Sequence, residues 1–336
     1  MIWNHTMGEK IKWGVLGAAT IAVNQVIPAI RNSTYGELYA IASRDMGKAE
    51  RIAGQFNIRK AYGNYGDLLN DRAVDAVYIP LPNHMHIPWA IKALEKGKHV
   101  LVEKPIGLSS KEAGLLMEAS RIRPELKVME AFMYRFHPQW VKTKELITAG
   151  AIGKVGNISS SFSFFDDDPE SITNTKNMGG GSLMDIGCYS LSLSRYIFDS
   201  EPLAVSAIID YDPITKVDRT ASGILEFGEG ASTFFSSIRL GDHQKAQIFG
   251  TKGSIEFEMP FNPSIDTPSK IWLHTEGSTE TITFRVCNQY TLQADAFALS
   301  IINGTAVPTP LQDAVNNMVL IEKLEESHKK GRRIML

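Results

Sequence analysis

Ile11-Lys12-Trp13-Gly14-Val15-Leu16-Gly17-Ala18-Ala19-Thr20-Ile21-Ala22 is an apolar, strand-like run that stops at a glycine turn and passes into helical spacing over about residues 20–31. The same grammar continues downstream. Strand-like runs at 38–42, 76–80, 99–102 and 128–131 alternate with helix-like segments at about 47–56, 87–95 and 111–120. Ser109 is placed to cap the last of these. Strands separated by helices predict βαβ units and a doubly wound parallel sheet. In such a sheet the first strand-to-helix turn holds a dinucleotide: one glycine makes the turn, a second lets backbone approach the pyrophosphate, and a third allows helix and strand to pack. Gly17, Ala19 and Ala22 occupy those places, so the middle position departs from glycine, and Thr20 and Ile21 begin the helix facing phosphate.

Beyond Gly150 the pattern changes to longer alternating runs, at 157–164, 204–211, 221–227, 231–238, 246–250 and 281–286, divided by Gly, Asp and Pro turns. That alternation predicts a mostly antiparallel sheet. Helices are expected at about 183–198, 292–303 and 311–331. The predicted class is therefore α/β, a dinucleotide-binding domain at 9–131 and an α+β domain at 132–310. A C-terminal helix and tail at 311–336 is expected to pack back on the body.

Composition narrows the function. With 336 residues, 35 basic against 37 acidic side chains and a net charge of -2, nothing in the balance points to nucleic acid or an anionic membrane. No apolar stretch approaches the roughly 20 residues of a spanning helix, and Met1 to Lys10 lacks a hydrophobic signal core. The expected location is the cytoplasm and the expected partner a small molecule or another copy of the chain. Cys188 and Cys287 make neither a disulfide framework nor a CxxC metal pattern.

The candidate site residues follow from position. After the second strand, where an NAD enzyme offers a carboxylate to the ribose, stand Ser43 and Arg44, with Lys48 one turn on. A hydroxyl and two cations suit a 2′-phosphate, hence NADP; the alternative is that Asp45 binds the ribose of NAD. Pro80, Leu81 and Asn83 follow the run at 76–80 and can flank the cofactor, with His86 nearby; a rigid turn and helix cap is the other reading. Glu103-Lys104-Pro105 ends the run at 99–102, which aims Lys104 into the crevice where open α/β sheets bind ligands; a surface lysine at a strand end is the other reading. In the crevice its ammonium can bind a substrate oxygen and relay a proton, Glu103 can orient it, and Pro105 restricts the strand end.

The second constellation is Gly179-Gly180-Gly181-Ser182-Leu183-Met184-Asp185-Ile186-Gly187-Cys188-Tyr189. Three glycines let backbone approach a ligand, Ser182 can cap the helix, and Asp185 and Tyr189, four apart, share a helix face. A phenol and a carboxylate there, with Lys104, can bind a diol and exchange its proton. A core tyrosine and a solvated first-turn acid fit the spacing equally. Arg135 and His137, just past the last parallel strand, can touch the nicotinamide ribose or substrate, with a hydrogen-bonded core histidine the other reading for His137, and Tyr290 can reach the cofactor. Asp166-Asp167-Asp168 suggests a metal at first sight, but consecutive loop carboxylates are usually solvated and hydride transfer needs none, so no metal is assigned.

Taken in order, the glycine turn, Glu103-Lys104-Pro105, Tyr134-Arg135-Phe136-His137-Pro138 and the triple glycine with Asp185 and Tyr189 resemble the Gfo/Idh/MocA oxidoreductase family over about residues 11–336. The resemblance implies a Rossmann domain and, at 132–310, a C-terminal open-faced domain that binds substrate and whose sheet commonly makes an oligomer interface. It also implies hydride transfer between NAD(P) and a sugar or cyclic polyol. Many members carry histidine where this chain has Tyr189; the tyrosine form looks more like the NADP-dependent dihydrodiol dehydrogenase, xylose dehydrogenase and glucose-fructose oxidoreductase branch, in which Lys104 and Tyr189 would carry the acid/base step. Two alternatives remain: an NAD-dependent inositol or polyol dehydrogenase, and a regulatory protein that binds dinucleotide without turnover.

Overall fold

The computed structural model describes residues 10–336. The expected start of the first domain at residue 9, and the reading of the opening segment before Lys10, lie outside the described residues. The chain divides into two compact units, one ending at Met133 and completed by Asn288–Val315, the other formed by Tyr134–Cys287 and Asn316–Leu336.

In the first unit the strands are β1 (Ile11–Leu16), β2 (Gly36–Ala42), β3 (Lys60–Tyr62), β4 (Ala76–Ile79), β5 (His99–Val102) and β6 (Val128–Glu130). Their order is β3-β2-β1-β4-β5-β6, and every pairing is parallel. This is the doubly wound Rossmann sheet. β1, β4 and β5 are buried at every position but Lys12, as strands covered on both faces must be. Between strands run the helices Met46–Phe56, Asn83–Glu95 and Ser110–Arg121. Ser109 caps the last, accepting the Glu112 N–H, as expected. Strand order reverses between β1 and β4, which fixes the crevice at their carboxyl ends.

The helix Gln289–Ile302 belongs to this first unit, whereas the expected span 132–310 assigned it to the second. Two contacts account for that. Asp295 accepts the Thr34 and Tyr35 N–H groups at 3.0 and 3.2 Å just ahead of β2, and Phe297 packs on Trp13 of β1 with ring centroids 5.6 Å apart. Of the expected C-terminal segment at 311–336, the helix Leu311–Lys330 is divided between the units after Val315.

The second unit holds β7 (Val155–Phe165), β8 (Ala204–Tyr211), β9 (Asp218–Phe227), β10 (Gly230–Ser237), β11 (Arg239–Gly250), β12 (Gly253–Phe257), β13 (Ser269–Thr275), β14 (Ser278–Phe284) and β15 (Ile334–Met335). They form one sheet in the order β14-β13-β12-β11-β7-β10-β9-β8-β15. Every pairing is antiparallel except β7 with β10. One face carries the helix Cys188–Phe198, whose Ser194 hydroxyl meets Ser232 at 2.7 Å and whose Phe198 stacks on Phe227. Alternate residues point to the other face, where Ile208 and Ile224 are 78% and 50% exposed.

Candidate active site

The carboxyl ends of β1, β2, β4 and β5 gather most of the residues singled out from the first unit. Gly17, directly after β1, has φ +120°, and a Cβ there would lie 3.0 Å from Leu81 Cδ2 and 3.9 Å from Pro80 Cγ. The glycine turn and the loop after β4 therefore approach each other as closely as the absence of a side chain allows. Behind Gly17 the half-exposed Ala18 and Ala19 lead into the exposed Thr20 and a helical turn continuing at Ala22–Val26. This narrow cradle at a helix start fits a pyrophosphate.

At the end of β2, Ser43 is buried and its hydroxyl accepts the Asp45 N–H at 3.2 Å. Asp45 is committed as the cap of the next helix, accepting the Lys48 N–H at 3.1 Å. Arg44 and Lys48 are exposed, and Arg44 also reaches the Tyr65 phenol.

Lys104 is presented by a turn anchored on three sides, with a cis peptide bond to Pro105. Tyr78 of β4 donates its hydroxyl to Glu103 Oε1 at 2.6 Å, and Glu103 Oε2 accepts the Lys104 N–H at 3.2 Å. Glu130 at the end of β6 accepts the Ile106 N–H at 2.7 Å. His86 is fully buried, its Nδ1 2.8 Å from the Pro105 carbonyl and its Nε2 2.6 Å from the Leu81 carbonyl. Burial pushes that imidazole down to about 4. His86 thus ties the loop after β4 to the Lys104 turn, and its two ring nitrogens are turned to backbone rather than into the crevice. Asn83 opens the same helix, half-buried. Tyr290, in the first turn of Gln289–Ile302, has its phenol pushed up by burial and by Glu103, with Lys104 opposing, so it lies within electrostatic reach of both.

Tyr78 and Glu130 are the residues that sequence reasoning missed. Each is a polar-tipped side chain inside an otherwise apolar strand run, and Glu130, a carboxylate 2% exposed in β6, was the available signal.

In the second unit Asp185 and Tyr189 follow one another along a helical segment, a π-turn over Leu183–Gly187 continuing into Cys188–Phe198. Tyr189 is 4% exposed, its ring among Tyr134, Phe162 and Phe261, while Asp185 is half-exposed. Arg135 reaches the same helix, donating to the Ser192 hydroxyl at 2.8 Å and lying over the Tyr196 ring. His137 is buried as the cap of Pro138–Thr148, its Nδ1 accepting the Gln139 N–H at 3.2 Å.

Two expectations here are corrected. Ser182 has helical φ and ψ and makes no cap; its hydroxyl donates to Asp218 Oδ2 at 2.8 Å, and Asp218 caps the segment instead by accepting the Leu183 N–H. The triple glycine serves internal packing. A Cβ at Gly180 would meet the Ile172 and Thr173 carbonyls at 2.6 Å, and one at Gly181 would collide with Asp218. Asp166 and Asp168 build their own loop, with Thr173 donating to the Asp166 carboxylate, and Asn174 and Arg239 binding the Asp166 carbonyl. Among the described residues no group of three or more His, Cys, Asp or Glu could hold a metal, and no helix is long and apolar enough to cross a membrane.

A Rossmann sheet with a phosphate cradle, an anchored lysine at the end of β5 and a second α/β unit defines a nicotinamide-dependent oxidoreductase. Comparison with known proteins agrees: residues 11–130 match the oxidoreductase family, NAD-binding Rossmann fold, and residues 140–256 the GFO/IDH/MocA C-terminal domain. The chain belongs to the Gfo/Idh/MocA oxidoreductase family. It is 38% identical to an uncharacterised oxidoreductase of Rhizobium meliloti over 329 residues, covering 96% of this chain and 98% of that one. It is 36% identical to an NADP-dependent D-xylose 1-dehydrogenase of Haloferax volcanii over 326 residues, covering 96% and 99%. A 3-ketoreductase of Actinomadura kijaniata, solved with NADP and TDP-benzene, superimposes with a TM-score of 0.88 at 26% identity over 95% of this chain and 98% of that one. Variants of that reductase with a lysine replaced by alanine or a tyrosine by phenylalanine have the same fold.

Proposed function

We propose that this chain moves hydride between NADP and a CH–OH carbon of a sugar, sugar derivative or cyclic diol, with Lys104 and Tyr189 handling the hydroxyl proton and Asp185 positioning the substrate. The observation that carries this reading is the anchored turn of Lys104, held by Glu103, Glu130 and His86. These bonds hold the backbone of the turn, so a lysine at the ligand edge of the sheet starts from one fixed backbone position. A bound nicotinamide supplies the hydride chemistry. Gly17, Ala19, Thr20 and Ile21 would hold its pyrophosphate, with Pro80, Leu81 and Asn83 alongside. Ser43, Arg44 and Lys48 would take the 2′-phosphate. NADP is favoured over NAD because Asp45, the alternative ribose ligand, already serves as a helix cap. Glu103 keeps the Lys104 backbone in register, the Lys104 ammonium binds the substrate oxygen, and Tyr189 O–H gives or takes its proton. Arg135 and His137 act from behind, Arg135 on the Tyr189 helix and His137 on the helix after it.

The exposed Ile208 and Ile224 on the open face support a homo-oligomer formed through this sheet. The expected location remains the cytoplasm.

The test is a fluorescence titration with NADPH and NADH, followed by turnover with NADP and a panel of aldoses, polyols and dihydrodiols. Binding that favours NADPH, and turnover abolished in Lys104→Ala and Tyr189→Phe, supports the assignment. Turnover unchanged in both variants overturns it.

A further inference from the structure

Asp218, the first residue of β9, is 6% exposed and has no ion-pair partner among the described residues. An ionised carboxyl in that setting is costly unless it is well hydrogen-bonded. Its bonds converge on one place. Oδ2 accepts the Leu183 N–H at 2.6 Å and the Ser182 hydroxyl at 2.8 Å. Ser182 Oγ in turn lies 3.1 Å from Ser236 Oγ of β10. Gly181, at φ +117°, exists without a side chain because a Cβ would collide with Asp218 Oδ1. The next turn follows directly, since the Asp185 N–H donates to the Gly181 carbonyl at 3.0 Å. A carboxylate at a helix start also meets the positive end of the backbone dipoles.

We propose that Asp218 is a positioning residue for the proton-handling helix: clamped to residues 181–183 from the sheet beneath, it fixes the azimuth and height at which Asp185 and Tyr189 stand. The proposal rests on the roles assigned above to Tyr189 and Asp185. The segment Leu183–Gly187 is a π-turn preceded by Ser182 and the glycines at 179–181, which by itself has a looser choice of conformations than an α-helix. A sheet-borne carboxyl removes that freedom; burial pushes its pKa up to about 6, with the Leu183 and Ser182 bonds pulling the other way.

The experiment compares Asp218→Asn, Asp218→Ala, Ser182→Ala and Tyr189→Phe in the full chain. Amide hydrogen exchange over residues 181–189 is read by mass spectrometry, and turnover of D-xylose with NADP is read with protiated and 1-deuterated sugar. In Asp218→Ala the 181–189 amides exchange on the order of tenfold faster, exchange in β1 to β6 stays as in the parent, and Kd for NADPH stays within about twofold. kcat/KM falls on the order of 10- to 100-fold with a larger deuterium isotope effect, which a mere loss of active molecules does not produce. Asp218→Asn, which keeps the shape and one acceptor, recovers part of both losses. Should Asp218→Ala fail to fold, Asp218→Asn and Ser182→Ala carry the test through their own 181–189 exchange. Unchanged exchange at 181–189 in the folded variants overturns the proposal, with or without turnover. Full activity in Tyr189→Phe overturns instead the role given to Tyr189, so the two failures are distinguishable.

Discussion

His86 Nδ1 lies 2.8 Å from the Pro105 carbonyl while its Nε2 lies 2.6 Å from that of Leu81, so one buried ring joins the loop after β4 to the turn that presents Lys104. Neutral imidazole has a single N–H and serves one carbonyl at a time as donor. His86→Leu keeps much of the volume and removes both contacts. It should cost about 1–3 kcal/mol in urea melts and lower kcat/KM on the order of tenfold, since Lys104 loses one of its three restraints. Activity equal to the parent would show that Glu103 and Glu130 suffice.

The exposed pair Arg44 and Lys48 leads to a cofactor prediction. Arg44→Asp should weaken NADP(H) binding by about tenfold or more, the scale of a charge-assisted phosphate contact of about 1.5–3 kcal/mol. NADH should be affected far less. Titration of both cofactors by fluorescence reads the difference, and an equal loss for the two would refute a 2′-phosphate site at Arg44.

His137 makes stability depend on pH. Burial pushes its ring from 6.5 down to about 4, consistent with an Nδ1 that must stay unprotonated to accept the Gln139 N–H. A base whose pKa is depressed on folding contributes stability that is complete above about 6.5 and lost as pH falls toward about 4. His137→Asn retains a side-chain cap but cannot titrate. Urea melts between pH 7 and pH 5 should show a shallower acid loss in the variant, by at most roughly 2 kcal/mol at pH 5. Parallel curves would mean that His137 does not carry the dependence.

The parallel sheet was legible because β1, β2, β4, β5 and β6 are apolar runs, each separated from the next by helical spacing or a turn. β3 was not, since its three residues are all half-exposed and carry no hydrophobic period. The helix Pro138–Thr148 was hidden behind a motif read only for Arg135 and His137. Lys104 and Glu103 could be found because they end a buried parallel strand at the ligand edge of the sheet, although a surface lysine at a strand end fits the same local pattern. Glu130 left only the signal of a carboxylate in an apolar run, and the partners of Tyr78, Glu130 and Asp218 were hidden, being a distant side chain or backbone amides 24 and 35 residues away that no local pattern encodes. The triple glycine was read as a ligand approach, yet its neighbours are the Ile172 and Thr173 carbonyls and Asp218. Close approach was the correct physical inference; what approaches is the protein itself.

The open face of the second sheet gives the last prediction. Ile208 in β8 is 78% exposed and Ile224 in β9 50%, and the register sets Ile224 opposite Ser206, two residues from Ile208 on the same strand face. Residues i and i+2 point to one side of a sheet, so the two isoleucines lie on one apolar patch. Solvent-exposed β-branched residues side by side weaken solubility unless covered. Ile208→Asp places a charge in the middle of that patch and at a fully exposed position costs the isolated fold little. Light scattering on the parent should report an oligomer and on Ile208→Asp a smaller species, with a thermal midpoint that rises with protein concentration in the parent and stays level in the variant. A parent that is monomeric at all concentrations, with Ile208→Asp indistinguishable from it, would refute assembly through this face.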